Sequence, residues 1–116
     1  MAEELKHRTK EFAVRIIKLY AALPKTTELQ VIGKQFLRSG TSVGAHYRES
    51  QYAKSDADFI SKIEGGLQEL EETSYWLELL DEMHLFDSEE LVPIRNETNE
   101  LTAIFITIVK KVKSRK

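Results

Sequence analysis

Apolar side chains recur along this chain at intervals of three and four residues, in four stretches separated by short polar breaks. This spacing returns a side chain to the same face of an α-helix every one or two turns, so each stretch predicts an amphipathic helix. Only five glycines and two prolines occur in 116 residues, which leaves few positions where a helix would have to stop. The pattern predicts an all-α protein with long helices.

Each predicted helix carries one packing seam, the row of side chains that faces the core of a helical bundle. The seams are mostly aliphatic and aromatic, with a few serines, threonines and one histidine among them. In chain order they are Leu5, Phe12, Ile16, Leu19 and Leu23; Leu29, Ile32, Phe36, Ser39, Val43, His46 and Ser50; Ile60, Ile63, Leu67, Leu70, Ser74 and Leu77; and Leu91, Ile94, Thr98, Leu101, Phe105, Ile108 and Val112.

The polar breaks contain signals for helix ends. Pro24 ends the first helix, and the predicted N-terminal caps of the next three are Thr27 with Gln30, Ser55 or Asp56, and Asp87 with Glu90. Connections this short force consecutive helices to lie antiparallel and adjacent. We therefore predict one domain over residues 1–116, an antiparallel up-down-up-down four-helix bundle.

The second helix carries an additional row of small residues beside its main seam. The row consists of Gly33, Leu37, Gly40, Gly44 and Tyr47, again at intervals of three and four. Glycines on one helical stripe let a neighbouring backbone approach closely, at a cost of roughly 1 kcal/mol each in helix propensity relative to alanine. Two interpretations remain at this point: tight packing within the bundle, or a groove for a ligand or a second subunit.

Charged residues are also expected in the middle of the bundle. If the turn between the second and third helices centres near residues 54–55, Arg38 faces Glu71 and its neighbours Glu69 and Glu72. We interpret these residues as a structural salt-bridge network that sets helix register rather than as a catalytic group. The full predicted network is Arg38, His46, Glu49, Glu69 and Glu72.

The sequence contains no recognisable arrangement for catalysis or cofactor binding. There is no cysteine, no glycine-rich phosphate loop and no nucleophile elbow. The nearest matches to a di-iron motif, His46 with Glu49 and Asp81 with His84, would lie about 30 Å apart at 1.5 Å per helical residue. We therefore expect no metal, no cofactor and no enzymatic activity.

Charge is distributed unevenly along the predicted bundle. Residues 1–12, 43–68 and 104–116 share one end and hold eleven basic and seven acidic residues, whereas the remainder holds six basic and twelve acidic. Clustered cations are the main requirement for phosphate binding, although cations in a last helical turn also complement the helix dipole. The candidate nucleic-acid-binding residues, here called the basic end, are Lys6, Arg8, Lys10, Arg48, Lys54, Lys110, Lys111, Lys113, Arg115 and Lys116.

The hydropathy of the chain indicates its compartment. The first twelve residues are too polar for a signal peptide, and the longest apolar run, residues 103–109, is much shorter than the roughly 20 residues that span a bilayer. We therefore expect a cytoplasmic protein without a membrane partner.

Several segments together resemble one family over nearly the whole chain. They are "LPKT", "QFLRSGTSVGAHYRES", "SDADFISKI", "ELEETSYWLELL" and "NELTAIFITIVK". In their order and spacing they are similar to the four-helix-bundle family named after the 23S rRNA intervening sequence proteins, whose relatives include the accessory protein of diversity-generating retroelements. The resemblance implies a small bacterial, non-enzymatic bundle that assembles into homopentamers, in a family with nucleic-acid-binding relatives.

The central polar residues depart from this resemblance in part. Family members often carry Asn-x-x-Glu-Gly where this chain has His46, Glu49 and Ser50, so a role of that Asn cannot be transferred. Glu49, Glu69, Glu72 and Trp76 match the family pattern. Our leading hypothesis is a non-catalytic oligomer that binds RNA or another polyanion. The alternatives are a protein-binding adaptor for a nucleic-acid enzyme such as a reverse transcriptase and, third, a metal or small-molecule enzyme.

Overall fold

Four α-helices make up the structure, a computed structural model that describes residues 2–115. They are α1 (Ala2–Ala21), α2 (Thr27–Ser50), α3 (Asp56–Glu82) and α4 (Ser88–Lys113), and no residue in this range lies in a β-strand. The predicted all-α class is thus confirmed. Lys116 of the predicted basic end lies outside the described residues, as does Met1.

The helix caps agree with the sequence signals at two of three positions. Ser55 caps α3, because its hydroxyl accepts a hydrogen bond from the Asp58 backbone N–H at 3.0 Å. At α4, the Asp87 backbone N–H donates to Glu90 Oε1 at 3.1 Å. The prediction of Thr27 as the cap of α2 is wrong by one residue.

Thr26, not Thr27, caps α2. Its backbone is extended (φ −84°, ψ 162°), and its hydroxyl accepts a hydrogen bond from the Leu29 N–H at 3.3 Å. An N-cap needs this extended backbone together with a side-chain acceptor. Two adjacent threonines offer the same acceptor, so composition alone does not distinguish them.

Consecutive helices are antiparallel, because contact partners descend along one helix as they ascend along the next. Between α1 and α2 the pairs include Ile16 with Gly40 and Thr9 with Gly44; between α2 and α3, Ser39 with Thr73 and His46 with Gly65; and between α3 and α4, Asp81 with Arg95 and Gly66 with Phe105. α1 also meets α4, less extensively than the sequential pairs meet, and this contact closes the bundle. The predicted antiparallel four-helix bundle is therefore what the chain forms.

The core follows the predicted seams, with a shift on α3 and another on α4, where Val109 is buried and the predicted Ile108 is half-buried. Phe12, Phe36 and Phe105 are fully buried, together with leucines and isoleucines from all four helices. On α3 the buried polar residue is Thr73 rather than the predicted Ser74. Thr73 Oγ1 donates to the Glu69 carbonyl at 2.7 Å and lies 2.8 Å from Ser39 Oγ, so its burial leaves no unpaired hydroxyl.

The row of small residues on α2 packs against α1. A Cβ built on Gly40 would lie 2.7 Å from Ile16 Cγ1, and one built on Gly44 would lie 3.2 Å from Thr9 Oγ1. At Gly33 a Cβ would lie 2.9 Å from Leu23 Cδ1. Of the two interpretations given above, tight packing within the bundle is therefore correct.

None of the helices is both long enough and apolar enough to cross a membrane, within the part of the chain that the structure describes.

The packing of the α2 glycines against α1 can be tested by comparing the stabilities of two glycine substitutions. Both Gly40→Ala and Gly44→Ala gain roughly 1 kcal/mol of helix propensity. Gly40→Ala also forces a methyl group into Ile16, whereas Thr9 has to move only slightly for Gly44→Ala. Because overpacking typically costs about 1–3 kcal/mol, we expect Gly40→Ala to be less stable than Gly44→Ala by at least about 1 kcal/mol in urea unfolding. Equal stability of the two variants would contradict the packing described here.

Candidate functional site

The basic end gathers at one end of an elongated bundle. The longest dimension of the bundle is 49 Å. Arg115, just after α4, lies 3.7 Å from Asp56 at the start of α3, and Lys6 of α1 shares a surface depression with Arg48 at the end of α2. Since charges in water are screened over about 8–10 Å, the two ends of the bundle are electrostatically independent.

Six cations of the basic end are exposed. None of them forms an ion pair with another residue in the range 2–115, so each charged group remains open to solvent ions. A polyanion that binds such cations gains from the release of its own counterions. They are Lys6, Lys10, Arg48, Lys54, Lys110 and Lys111.

Two further cations of the basic end form exposed ion pairs. Lys113 Nζ lies 3.5 Å from Glu64, and Arg115 Nη2 lies 3.7 Å from Asp56. Exposed pairs contribute about 0–1 kcal/mol each, so a phosphate can compete for these cations. The pairs also hold the C-terminal end of α4 against the first three turns of α3.

Arg8 differs from the other predicted cations. Its guanidinium donates two hydrogen bonds to Glu97, at 2.6 and 3.0 Å, and one to Glu100 at 3.3 Å. The hydrogen bond to Glu97 raises the pKa of Arg8, and burial opposes this shift. The sequence did not indicate this pairing, because α1 and α4 are not consecutive helices and no short turn joins them. Arg8 therefore joins two helices and is left out of the surface proposed below.

Tyr52 is the exposed aromatic residue that sequence reasoning missed. It is not among the predicted site residues, yet the Tyr52 side chain is 86% exposed in the turn between α2 and α3. It lines two depressions, one with Lys6 and Arg48 and the other with Lys54 and Lys62. The available signal was its position two residues after Ser50, outside both seams of the second helix.

The structure brings Arg38 to two of the three predicted carboxylates. Arg38 Nη1 lies 3.2 Å from both oxygens of Glu69, and its Nη2 donates to Glu72 Oε1. Glu71 is exposed and is not bound by this guanidinium among the described contacts. The side chains of Arg38 and Glu72 are about half exposed, at 48% and 46%, whereas that of Glu69 is 13% exposed, so this network runs from the surface of the α2–α3 pair into its interface.

His46 lies next to the same network. Its Nε2 is 3.6 Å from Glu69 Oε2, too far for a hydrogen bond, and its ring packs directly over Gly65. The other ring nitrogen, Nδ1, is buried and has no hydrogen-bond partner within residues 2–115. His46 therefore acts mainly as a packing residue at the α2–α3 interface.

Glu49 does not reach this network. It lies eleven residues after Arg38 on α2, which is about 16 Å along a helix. The structure places it, exposed, in a depression with Tyr52 and Lys54. Grouping Glu49 with Arg38 was wrong because the family pattern indicates which residues match and not which of them touch.

The outer face of α3 and α4 has an exposed apolar surface. Ile106 is 40% exposed and lines a depression between the two helices with Leu67 and Ser74. Further along α3, the rings of Tyr75 and Trp76 lie 5.1 Å apart beside Glu71 and Glu72. Contiguous apolar and aromatic surface of this kind is typical of a protein-contact site.

Within residues 2–115 no group of three or more histidine or acidic side chains is placed to hold a metal ion.

Comparisons with known proteins identify relatives of this chain. The family model described as 23S rRNA-intervening sequence protein matches residues 3–107. A crystal structure from Bacteroides thetaiotaomicron, described as a protein with unknown function from the S23 ribosomal protein family, is 43% identical. The alignment covers 95% of this chain and 99% of that one, with a TM-score of 0.86. No curated protein matches the chain.

The ion pairs of Arg8 and those of Arg38 are predicted to contribute unequally to the stability of the bundle. Arg8→Ala leaves Glu97, whose side chain is only 16% exposed, without its cation, and we expect a loss of about 1–3 kcal/mol in the free energy of unfolding. Arg38→Ala is expected to cost at most about 1 kcal/mol, less still in 1 M salt, because the Arg38 side chain is 48% exposed, against 27% for Arg8, and its ion pairs are screened more strongly by water and salt. Urea unfolding at low and high salt measures both effects. A larger loss for Arg38→Ala would contradict this ranking.

Proposed function

Because the chain belongs to the 23S rRNA-intervening sequence protein family, we propose that it is a non-catalytic, cytoplasmic oligomer that binds RNA, or another polyanion, through its basic end. The binding surface comprises Lys6, Lys10, Arg48, Lys54, Lys110, Lys111, Lys113 and Arg115.

One observation carries the proposal: exposed cations without a protein partner lie together at one end of the bundle. Lys110 and Lys111 extend this cluster along the last turns of α4, and the opposite half of the chain is predominantly acidic. The acidic half repels phosphate and the basic end attracts it, so an RNA backbone is oriented toward the basic end.

The proposal that the protein is non-catalytic is supported by the ion pairs that the central carboxylates form. Glu69 and Glu72 are the best-placed pair for acid and base chemistry, and both bind the guanidinium of Arg38. That ion pair links α2 to α3, which is a structural role. The family description names a ribosomal RNA and no reaction.

We propose the homopentamer on the basis of the family resemblance, and the outer face of α3 and α4 offers a surface for it. Ile106 and Tyr75 are exposed there, and Ala103 of α4 is exposed as well. Burying such side chains against a second copy contributes roughly 25 cal/mol per Å² of apolar area. Five copies bring five basic ends into one particle, which increases avidity for a long polyanion.

A second candidate function is the protein-binding adaptor. The pair formed by Tyr75 and Trp76, next to Glu71 and Glu72, favours it, because acidic and aromatic groups together suit a basic protein surface. A nucleic-acid enzyme such as a reverse transcriptase carries surfaces of this kind. This function becomes the leading one if RNA does not bind.

Self-association can be tested at one position. Light scattering of the wild type is expected to give a species about five times the 13.4 kDa chain mass. Ile106→Glu places a charge on the proposed contact face and should shift the mass toward that of the monomer. The matched control is Val31→Glu on α2, where the side chain is 61% exposed outside this face. A monomeric wild type at tens of micromolar would disprove oligomerisation.

RNA binding can be tested with two sets of lysines. Replacing Lys110, Lys111 and Lys113 with Gln should weaken the binding of structured RNA, and should reduce the slope of log affinity against log salt by up to about 0.7–0.9 per lost contact. Replacing Lys18, Lys25 and Lys34 removes the same charge from the acidic half and should have little effect. Filter binding at about 50–200 mM salt measures both sets. Equal weakening by both would show that net charge, and not the basic end, determines binding.

A further inference from the structure

Tyr52 is held in a defined position although its side chain is almost fully in solvent. The turn that follows α2 continues its hydrogen bonds: the Tyr52 N–H donates to the Glu49 carbonyl at 3.1 Å, and the Ala53 N–H donates to the Ser50 carbonyl at 3.2 Å. The next helix, α3, starts at Asp56, three residues after Ala53. The backbone therefore fixes the point from which the Tyr52 side chain projects on the basic end, and the ring can turn to meet a ligand.

Single exposed aromatic residues are common, so the surroundings of Tyr52 decide its significance. The ring forms the shared wall of two depressions. Lys6 and Arg48 line the first, and Lys54 and Lys62 line the second. An apolar ring with cations on both sides matches a nucleotide in a chain, which presents a flat base between two phosphates.

The local charge is close to balanced, which bears on the kind of ligand. Alongside the four cations, Glu3 lines the first depression, and Glu49 and Asp58 line the second. Asp58 already accepts a hydrogen bond from the Lys54 backbone N–H at 3.1 Å. A phosphate alone is therefore held weakly, and a ligand that also stacks on the ring gains a contribution that does not depend on charge.

We propose that Tyr52 is a stacking platform for an unpaired RNA base, with the phosphates on either side of that base contacting Lys6 and Arg48 in one depression and Lys54 and Lys62 in the other. Bases inside a duplex are already stacked on their neighbours, so the ligand is a nucleotide in a loop, a bulge or a single strand. Every base has an aromatic face, so the site selects unpaired over paired RNA with little preference among sequences. This inference rests on the proposed binding of RNA by the basic end. It adds a preference for unpaired over paired RNA, which cations alone would not produce.

The experiment compares a short unstructured RNA with a blunt-ended duplex of the same length, using fluorescence anisotropy and the full-length protein. Tyr52→Ala should weaken binding of the single strand by about tenfold, within the roughly 5- to 150-fold range expected for one lost base stack. Binding of the duplex should not change, and neither should the salt slope. Tyr52→Phe keeps the ring and should bind within about twofold of wild type. Val31→Ala removes an exposed apolar side chain that lies away from the basic end and outside the proposed contact face, and should have no effect.

A second readout reports stacking directly. A 2-aminopurine base in the single strand should lose fluorescence when it binds the wild type or Tyr52→Phe, and should lose less when it binds Tyr52→Ala. Circular dichroism should show all three proteins equally folded, since the Tyr52 side chain has few contacts to lose.

The outcomes separate this inference from the proposed function. If the wild type binds both RNAs and Tyr52→Ala binds both equally well, the stacking platform is wrong and RNA binding by the basic end stands. If the wild type binds neither RNA at about 50 mM salt, the proposed function and this inference are both wrong. If Tyr52→Ala instead changes the oligomer mass in light scattering, Tyr52 belongs to a protein interface and the inference is overturned.

Discussion

Close packing of one large side chain over one glycine recurs at each sequential helix pair and determines the register of the bundle. Ile16 lies over Gly40 between α1 and α2, His46 over Gly65 between α2 and α3, and Phe105 over Gly66 between α3 and α4. In each case a Cβ on the glycine would come within 2.8 Å of the opposing side chain. A slip of one helical turn would put His46 or Phe105 against a position with a Cβ, so the α2–α3 and α3–α4 contacts each permit a single alignment.

The distribution of charge follows from that register. With the helices aligned in this way, the start of α1, the α2–α3 turn and the end of α4 lie together, and the cations at these three places become one surface. The same alignment brings Arg38 level with Glu69 and Arg8 within reach of Glu97. These two arginines are used within the bundle, because each meets a carboxylate on a neighbouring helix. Most of the end cations are exposed and form no ion pair within residues 2–115.

Much of the fold could be predicted from the sequence, because it depends on local periodicity and short connections. The helix positions, the antiparallel arrangement and the facing of Arg38 and Glu69 all follow from helices joined by turns of a few residues. The pairing of Arg8 with Glu97 could not be predicted, since it depends on how the first and last helices close the bundle. The N-cap of α2 and the buried hydroxyl of α3 were predicted one residue away from Thr26 and Thr73, because the neighbouring Thr27 and Ser74 offer the same hydroxyl group. Within the candidate site, the cations could be predicted from the distribution of lysine and arginine along the sequence. The exposure of Tyr52 could not, because a seam predicts which helix positions are buried and does not describe the turns between helices.

The near-balance of charge around Tyr52 explains why oligomerisation matters to the proposed function. A site with four cations and three carboxylates binds one nucleotide weakly, and stacking on one ring adds a limited amount. In an oligomer, once one site holds an RNA strand, the other copies meet the same strand at a high effective concentration. Total affinity then grows with the number of unpaired nucleotides that can reach successive copies. A structured RNA with several loops or bulges would satisfy this condition better than a uniform duplex, so weak individual sites would make the proposed oligomer selective for RNA shape rather than for RNA sequence.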